Sequence, residues 1–518
     1  MNAIDPTAQL HYNRALALAA NGQQAQAVQC YAQAVACDPR FSLAWANQGV
    51  ALGLLEQYEQ ALECFEQALK LAPQMFEAWT YRATTLVHLK RYEEALQCCD
   101  RALQLRPDSA DTWCNRGNAL AHLGLHEPSL AAYQQAIAVD PSSALAWSNL
   151  GLALTHLQRT DEALACYDKA LSLKPDYAQA WTHRGNALHS KEQGDLACEA
   201  YDRALALDQN AAETHWNKSL ALLRMGQFEQ GWKAYEWRKT VDKTGWAHRN
   251  FTQAAWDGRQ NIAGKTILLH FEQGFGDTLQ FCRYAKAVAQ KGARVLLEVQ
   301  PPLKALLQSL EGPHQVFSMG EALPDFDLHC PLLSLPLALG TTLETIPSQV
   351  PYLTPDPALL EHWRQQLGQD TRPKIGLVWS GSTTHTNDSH RSMRLAQLLP
   401  AVPTHFQWVS LQKELREEDA APLQAHPELL HFGPALRTYA DTAALCSLMD
   451  AVICVDTSVA HLAGALGRPV HLLLAANPDW RWMRERSDTP WYPSMTLWRQ
   501  RKLDEWEEPL SQLNLVFA

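Results

Sequence analysis

The sequence predicts an α-helical solenoid followed by an α/β part in which two doubly wound units face a cleft. Three observations predict this fold class. Prolines recur every 34 residues and tryptophans keep the same step: Pro39, Pro73, Pro107, Pro141 and Pro175, with Trp45, Trp79, Trp113, Trp147 and Trp181. From Lys265 onward, short apolar runs alternate with helical segments, which is typical of parallel β-α-β units. A second series of this kind begins at Lys374, after a stretch punctuated by prolines.

The 34-residue period resembles the tetratricopeptide repeat, in which each unit is a helix, a turn and a helix that must stack on its neighbours. Repeats begin near residues 8, 42, 76, 110, 144 and 178, and a degenerate seventh begins near residue 212. Small residues at fixed positions would let the helices approach each other. Four cysteines share one repeat position, so we expect buried packing residues rather than metal ligands or disulfides: Cys30, Cys64, Cys98 and Cys166.

The sixth residue of each repeat is harder to explain by packing. Asparagine is a mediocre helix former, yet five of the seven positions carry it. The candidate peptide-binding set is Asn13, Asn47, Asn115, Asn149, His183 and Asn217. A carboxamide on the concave face can bind the backbone of an extended peptide whatever its sequence. The alternative is that each amide only satisfies a neighbouring helix.

The composition changes divide the chain into four segments. Residues 1–244 are the predicted solenoid, 245–345 the first α/β unit, 346–372 a linker, and 373–518 the second α/β unit. The aromatic and basic stretch that joins the solenoid to the first α/β unit includes Trp232, Tyr235, Trp237, Trp246 and Trp256. Ligands of such sheets bind at the carboxyl ends of the strands, so the loops that follow strands are the candidate sites.

The first such loop runs from Glu272 to Thr278 and contains Gly274, Gly276 and Asp277. Its glycines permit a tight turn, but Leu279 stands where a dinucleotide fingerprint needs its third glycine. Asp277 has two interpretations. It is a helix N-terminal residue that complements the dipole, or it is a general base that faces the cleft and deprotonates a hydroxyl.

Two loops of the second unit carry hydroxyl groups and cations. The loop after the strand at 374–379 contains Ser380, Gly381, Ser382 and Thr383, and Arg391 follows it. The other loop contains Asp456, Thr457, Ser458 and His461 at the beginning of a helix. Hydroxyl groups, free amides and cations at these positions suit a diphosphate.

The segment Asp456-Thr-Ser-Val-Ala-His-Leu-Ala-Gly-Ala-Leu-Gly-Arg-Pro469 resembles the donor-site segment of the heptosyltransferase-like glycosyltransferases of family 9. The turn Gly276-Asp277 is similar to the Gly-Asp of the same family. This resemblance implies a GT-B fold of two Rossmann-like units over roughly residues 262–500, with inversion at the sugar and no metal ion. It implies that the first unit, residues 245–345, is on the acceptor side and that the second, residues 373–518, is on the nucleotide-sugar side. It implies that Asp277 is the catalytic base, that Ser382 and Thr383 contact donor phosphates, and that Arg391 is the cation near the leaving group. Ser458 replaces the usual glycine of the family.

The order of the parts also resembles the O-GlcNAc transferases, in which repeats precede a GT-B unit. We therefore expect a glycosyltransferase that moves a sugar from a nucleotide-sugar donor to a protein or peptide recruited by the solenoid. One alternative is a repeat scaffold with an inactive GT-B module that mediates protein–protein interaction. Another keeps the chemistry but has a glycan or lipid acceptor, and the solenoid then docks a partner enzyme.

Charge and hydropathy exclude several other classes. The formal net charge of −11 shows no basic excess, so we expect no nucleic-acid partner. No basic segment precedes an apolar run at the N-terminus, and no run of about 18 apolar residues occurs, so a cytoplasmic bacterial-type protein is expected. Asp325 and Asp327 have the spacing of a metal-binding pair, but we expect a structural loop there and no cofactor besides the donor substrate.

Overall fold

The computed structural model describes residues 4–241, 249, 251–385 and 387–517. The chain divides into two compact units between Asn210 and Ala211. The sequence placed the end of the solenoid at residue 244, but that boundary and Trp246 lie outside the described residues. The seventh helix pair belongs to the second unit rather than to the first.

The first unit consists of six antiparallel helix pairs: α1 (Pro6–Ala20), α2 (Gln24–Cys37), α3 (Ser42–Leu54), α4 (Tyr58–Leu71), α5 (Phe76–His88), α6 (Tyr92–Leu105), α7 (Ala110–His122), α8 (His126–Val139), α9 (Ala144–His156), α10 (Thr160–Leu173), α11 (Ala178–Ser190) and α12 (Gly194–Leu207). The structure explains why proline and tryptophan share one period. Each tryptophan Nε1 donates to the carbonyl oxygen of the proline six residues earlier, at 2.9–3.0 Å. The indole thereby fixes the turn between successive repeats.

Contacts between the helices of a pair depend on small residues. A Cβ atom on Gly49 of α3 would lie 2.8 Å from Cε1 of Phe65 on α4, and Gly117, Gly151 and Gly185 meet tyrosine rings in the same way. In the third repeat Ala83 stands at the glycine position, and the smaller Cys99 stands at the ring position. The four cysteines at the shared repeat position are buried, which confirms the expected packing role.

The second unit begins with α13 (Ala212–Arg224) and α14 (Phe228–Tyr235), followed by a 3₁₀ turn at Glu236–Thr240. Sheet A comes next and is entirely parallel, with β1 (Ala254–Ala255), β2 (Thr266–His270), β3 (Arg294–Val299), β4 (Pro313–Ser318) and β5 (Leu328–Pro331) in the order β1-β5-β2-β3-β4. Its helices are α15 (Phe275–Phe281), α16 (Tyr284–Gln290), α17 (Lys304–Leu307) and α18 (Leu335–Ala338). The helical segment between β2 and β3 is therefore divided into two short helices, α15 and α16. The predicted linker contains α19 (Pro357–Leu367).

Sheet B is also parallel and has six strands: β6 (Lys374–Val378), β7 (Gln407–Ser410), β8 (Leu429–His431), β9 (Ala451–Val455), β10 (Val470–Leu474) and β11 (Met495–Arg499). Its order, β11-β10-β9-β6-β7-β8, is that of a Rossmann sheet, with a change of direction between β6 and β9. Its helices are α20 (Asp388–Arg391), α21 (Leu395–Leu398), α22 (Glu417–Ala425), α23 (Tyr439–Ser447), α24 (Ser458–Ala465) and α25 (Glu507–Phe517). Two Rossmann-like units follow the solenoid, as the sequence predicts.

One hydrophobic core connects the pieces of the second unit. It contains Trp232 of α14, Ile267 of sheet A and Val452 of sheet B. The side chain of Asp327, from the Asp-x-Asp pair, accepts a hydrogen bond from the backbone N–H of Thr266 at 2.7 Å, where β2 begins. Among the described residues, none of the helices has the length and apolar character needed to cross a membrane.

The two glycines of α3 provide a matched test of the repeat packing. Gly49 faces Phe65, whereas a Cβ atom on Gly53 meets nothing within 4 Å. Gly53→Ala should raise the free energy of unfolding by a few tenths to about 1 kcal/mol because alanine favours the helix. Gly49→Ala should lower it by about 1–3 kcal/mol because the ring has to move. Urea denaturation of the full chain measures both, and equal effects would contradict the packing role of Gly49.

Candidate active site

The loop after β2 and the helix after β9 meet in the second unit. A Cβ atom on Gly276 would lie 2.9 Å from Cδ2 of His461 and 3.6 Å from Cα of Ser458. Only glycine leaves room for this approach. Two motifs that the sequence presents about 180 residues apart therefore belong to one place in the fold.

Asp277 is held from two sides. Its Oδ2 accepts the backbone N–H of Gly274 at 3.0 Å, and its Oδ1 forms an ion pair with Nη2 of Arg481. The side chain is 19% exposed. Burial raises the pKa of Asp277 above its ordinary value; Arg481 opposes the shift, and Asp479 adds to it. Both interpretations of Asp277, as a helix N-terminal residue and as a proton acceptor, therefore have a physical basis.

Arg481 is a residue that the sequence analysis missed. It lies in the 3₁₀ turn Trp480–Trp482 after β10, and its side chain is 8% exposed. Besides Asp277 it donates to Gln280 Oε1 at 2.6 Å and to Asp479 Oδ1 at 2.9 Å. Its guanidinium stacks on Trp480, 4.4 Å from the ring centroid. Three partners and one ring leave the guanidinium a single orientation.

The loops after β6 and β9 adjoin at the switch point of sheet B, where doubly wound folds bind their ligands. Arg391 connects them. Its Nη1 donates to the carbonyl oxygen of Asp456 at 3.0 Å, and a Cβ atom on Gly381 would lie 2.6 Å from its Nη2. The structure thus brings Arg391 together with Gly381 and Asp456.

A second set of polar residues, also missed by the sequence analysis, supports the Ser380–Gly381 backbone. Gln412 exchanges two hydrogen bonds with Ser380, at 3.1 and 3.4 Å. Gly381 donates its N–H to Ser392 Oγ at 3.0 Å, and its carbonyl oxygen accepts from Arg416 at 3.2 Å. These partners lie up to 35 residues away and follow no periodicity. The loop is therefore pre-organised by contacts that no local motif reveals.

Several buried polar atoms at this switch point have no hydrogen-bond partner among the described residues: Ser380 Oγ, Arg391 Nε and Thr457 Oγ1. Thr457 immediately precedes α24, but its hydroxyl does not cap the helix. Unsatisfied buried polar atoms are rare in native proteins and commonly mark a place for water or a ligand. Ser382 and Thr383 are exposed, and the hydroxyl groups of Ser382 and Thr384 lie 2.8 Å apart.

The remaining predicted donor residues are engaged by other side chains. Asp456 Oδ2 accepts Trp482 Nε1 at 2.8 Å. The Ser458 hydroxyl lies 2.6 Å from Tyr439 OH. His461 is 6% exposed, and its Nδ1 lies 3.0 Å from Tyr492 OH. Burial, with Arg481 and Arg283 nearby, holds the pKa of His461 well below its ordinary value, so its imidazole is neutral.

The predicted acceptor-binding amides connect neighbouring repeats. Asn47 donates to Tyr12 OH at 2.9 Å, Asn115 to Thr84 Oγ1 at 2.8 Å, and Asn149 to Asn118 Oδ1 at 3.1 Å. These hydrogen bonds agree with the alternative interpretation, in which each amide satisfies a neighbouring helix. The side-chain carbonyl oxygens of the same three asparagines accept no hydrogen bond from the described residues. Elsewhere in the ladder, Asn13 accepts from Gln9 at 2.9 Å, His183 stacks on Tyr167, and Asn217 lies on α13 in the second unit.

Comparison with known proteins agrees with a repeat solenoid that is followed by an α/β part. Models of the tetratricopeptide repeat match residues 8–41, 30–63, 47–110, 85–146 and 144–177, and a TPR repeat model matches 185–226. The model described as glycosyltransferase family 9 (heptosyltransferase) matches residues 436–503. That range includes Asp456, His461, Asp479, Arg481 and Tyr492. The chain therefore matches models of the tetratricopeptide repeat in its N-terminal part and the family 9 model in a C-terminal segment.

Individual proteins are similar over parts of the chain. Protein FlbA of Caulobacter vibrioides is 25% identical over 316 residues, which is 56% of this chain and 52% of that protein. The chain thus spans about half the length of this relative. MamA 41-end from Desulfovibrio magneticus RS-1 is 22% identical and covers 34% of this chain and 99% of its own, with a TM-score of 0.32. TTC0263, a thermophilic TPR protein of Thermus thermophilus, is 26% identical and covers 35% and 99%, with a TM-score of 0.33.

The ion pair of Asp277 can be tested by a double-mutant cycle. Arg481→Met leaves two carboxylates without their cation and should lower the free energy of unfolding by about 3–5 kcal/mol. Adding Asp277→Asn should recover part of this loss, with a coupling of about 1–3 kcal/mol in urea denaturation. Arg501→Met removes a surface ion pair and should change stability by no more than about 0.5 kcal/mol. Additive effects of the first two substitutions would contradict the pairing.

A pH-dependent prediction follows from Asp456. Burial and Asp479 raise its pKa to about 6, against the opposing effects of Trp482, Arg391 and Arg481. The folded chain then binds this proton more tightly than the unfolded chain, whose pKa is about 3.9, so stability falls as pH rises from about 4 to about 6. Asp456→Asn retains an oxygen for Trp482 and should exceed the wild type by about 1–3 kcal/mol above pH 6, and the difference should vanish near pH 4. A difference that is constant with pH, measured by urea denaturation, would refute the assignment.

Proposed function

We propose that the second unit is a glycosyltransferase that binds a nucleotide-sugar donor at the switch point of sheet B. One observation carries this proposal: Arg391 joins the loops after β6 and β9, at a place where three buried polar atoms have no hydrogen-bond partner among the described residues. A diphosphate supplies acceptor oxygens for such donors. The family 9 match covers the second of these two loops.

The donor diphosphate would be bound by protein groups. The backbone N–H groups at the beginning of α24, together with the Ser380 and Thr457 hydroxyl groups, are the hydrogen-bond donors. Arg391 supplies the positive charge that stabilises the leaving diphosphate, the role that a metal ion has in other glycosyltransferases. Ser382 and Thr383, which are exposed on the same loop, are proposed to contact the outer phosphate.

The transfer proposed for this site is a single displacement with inversion. The acceptor oxygen forms a bond to the anomeric carbon as the bond from that carbon to the diphosphate oxygen breaks. The acceptor proton passes to the carboxylate of Asp277, and the nucleoside diphosphate leaves with the bonding electrons. Support for Asp277 comes from its raised pKa and from its position in the loop that approaches α24.

The acceptor is proposed to be a protein or peptide bound by the solenoid. The free carbonyl oxygens of Asn47, Asn115 and Asn149 can accept the N–H groups of an extended chain. The amide N–H groups of these residues are already used between repeats, which fixes the carboxamide orientation. With a glycan or lipid acceptor, this row of oxygens would instead be available to a partner enzyme docked on the solenoid.

A scaffold with an inactive GT-B module is the second candidate. The observation that favours it is the occupation of both Asp277 oxygens, by Gly274 and Arg481. A carboxylate used in this way can be a purely structural connection between the two Rossmann-like units. The two candidates differ in whether the chain binds a donor and turns it over.

The experiment combines donor binding with substitution of Asp277. A nucleotide sugar present at 100 times its Kd should raise stability by about 2.7 kcal/mol in a thermal-shift screen. Asp277→Asn should abolish transfer of labelled sugar to protein acceptors in a lysate and leave the donor-induced shift intact. Asp325→Asn changes an exposed carboxylate of the same Rossmann-like unit and is the matched control, which should retain transfer.

Two results would count against the proposal. Unchanged turnover in Asp277→Asn would refute the base assignment. The absence of a stabilising donor, together with the absence of donor hydrolysis, would favour the scaffold.

A further inference from the structure

The seventh helix pair contacts both of the loops that carry the Asp277–Arg481 ion pair. We call these the Asp277 loop, residues 272–278 after β2, and the Arg481 loop, residues 475–483 after β10. The 3₁₀ turn that follows α14 contacts the first loop, and the end of α13 contacts the second. Both contacts use a buried arginine. A terminal repeat needs only a polar outer face, so two buried arginines that bind loops require another explanation.

Arg238 connects the 3₁₀ turn after α14 to the beginning of the Asp277 loop. Its side chain is fully buried, and its Nη2 donates to both carboxylate oxygens of Glu272, at 3.1 and 2.9 Å. The same Nη2 donates to Ser334 Oγ at 2.7 Å, and Nη1 donates to Glu236 Oε1 at 2.6 Å. The side chain of Glu272 is 9% exposed. This carboxylate of the Asp277 loop therefore has its counter-ion in the seventh helix pair.

Gln300, which follows β3, holds the rest of the Asp277 loop. Its Nε2 donates to the carbonyl oxygen of Gln273 at 2.8 Å, and its Oε1 accepts from the Thr278 hydroxyl at 2.8 Å. Asp277 lies next to Thr278 and is thus held close to a fixed point. Gln300 belongs to the first Rossmann-like unit, whereas Arg238 supports the same loop from the seventh helix pair.

Arg224 makes the corresponding contact with the Arg481 loop. It is the last residue of α13 and is 2% exposed, and its Nη1 donates a hydrogen bond to Asn477 Oδ1. In the turn between α13 and α14, a Cβ atom on Gly226 would lie 2.8 Å from Cε of Met483. Met483 has a left-handed backbone with a φ of 55°, a conformation that persists where the surrounding contacts fix it. The end of α13 and the turn after it therefore hold the Arg481 loop at two points.

Tyr235, the last residue of α14, connects the two arginines that face the loops' charged groups. The Arg238 guanidinium lies 4.9 Å from its ring centroid, and Trp480 meets the same ring edge-on, with centroids 6.1 Å apart. Trp480 in turn stacks on the guanidinium of Arg481. Burial raises the pKa of Tyr235 to about 12, so its hydroxyl group stays neutral beside these cations. Packed rings and guanidinium groups thus form a continuous line from Arg238 to Arg481.

The charges around Arg238 indicate what this contact contributes. Arg238 pairs with Glu236 and Glu272, and Lys239 pairs with Glu236 at 2.5 Å, so two cations face two carboxylates. A buried ionic network of this kind adds little net stability but allows few alternative geometries. Its contribution is therefore position. A general base depends on position, because a misplacement of about 1 Å can lower the rate of transfer about a hundredfold.

We propose that the seventh helix pair holds the Asp277 loop and the Arg481 loop in register for the proposed transfer, with Arg238 and Arg224 as positioning residues. This inference rests on the proposed function. Neither arginine contacts a substrate in it, because they act through Glu272 and Asn477 on the two members of the ion pair. The last repeat then has a role in the reaction that is separate from peptide binding.

Hydrogen exchange of the full chain, read by mass spectrometry, tests the positioning role without turnover. Glu272→Met removes both acceptors from Arg238, which keeps Glu236 as its counter-ion. Asn477→Leu has nearly the same volume as the wild type but accepts nothing from Arg224. Each variant should raise exchange about tenfold in both loops, because the Asp277–Arg481 pair joins them. Exchange that rises only in the substituted loop, or in neither loop, would overturn the proposal.

Transfer kinetics separate positioning from donor binding. Glu272→Met should lower kcat about tenfold to a hundredfold and change KM for the nucleotide sugar by no more than about twofold. Glu272→Gln keeps one oxygen for Arg238 and should retain most of the turnover. Glu229→Gln makes the same change on the exposed side of α14, where Glu229 pairs with Lys233, and is the matched control. An unchanged kcat in Glu272→Met, or a raised KM without a fall in kcat, would contradict the positioning role.

The positioning role and the transferase fail separately. Coupled exchange in the two loops, without a response to any donor, supports the positioning role and counts against the transferase. A nucleotide sugar that is bound and turned over, together with uncoupled exchange, leaves the transferase standing and overturns the positioning role. If Glu272→Met fails to fold, exchange in the Asp277 loop of Asn477→Leu still decides.

Discussion

The second unit depends on one aromatic cluster that joins three stretches of the chain. Trp232 of the seventh repeat packs edge-on against Phe281 of the first Rossmann-like unit and against Trp480 and Trp491 of the second, with ring centroids 5.3–6.5 Å apart. Edge-to-face contacts of this kind are directional as well as hydrophobic, so they fix orientation. The inner face of α14 is thereby filled by indoles rather than by another repeat. This is the physical reason that the seventh helix pair belongs with the sheets although it keeps the repeat period.

Buried arginines connect this aromatic cluster to the residues of the candidate active site. Arg283 of the first Rossmann-like unit donates to the carbonyl oxygen of Trp491 at 2.7 Å and stacks on Tyr492, and Tyr492 OH in turn lies beside His461. Arg481 belongs to the second Rossmann-like unit and pairs with Asp277 of the first. Buried charges of this kind add little net stability, but they tolerate few alternative geometries. The position of each site residue is therefore set by contacts between the two Rossmann-like units of the second unit and not by its own loop alone.

The sequence predicts whatever is periodic or local in this molecule. Proline and tryptophan reveal the repeats because their hydrogen bond spans only six residues, and the strands are visible as short apolar runs between glycine turns. The sequence indicates Gly276 and His461 only as members of two separate motifs that resemble one family. It does not predict that these two residues approach each other. Arg481 was not predictable, because its partner Asp277 lies 204 residues away and a lone arginine between two tryptophans matches no pattern. The sequence also could not show that the asparagine side chains donate hydrogen bonds between neighbouring repeats. Asparagines that face the groove and asparagines that face a neighbouring helix would recur with the same spacing.

The ion pair of Asp277 does not exclude a role as a base. One guanidinium, Arg481, faces two carboxylates, Asp277 and Asp479, so the buried group carries one uncompensated negative charge. A proton on Asp277 removes that charge and leaves Arg481 paired with Asp479. Burial therefore raises the pKa of Asp277 in spite of the cation, because the group as a whole gains by accepting one proton. The carboxylate that connects the two Rossmann-like units is, for the same electrostatic reason, able to accept a proton.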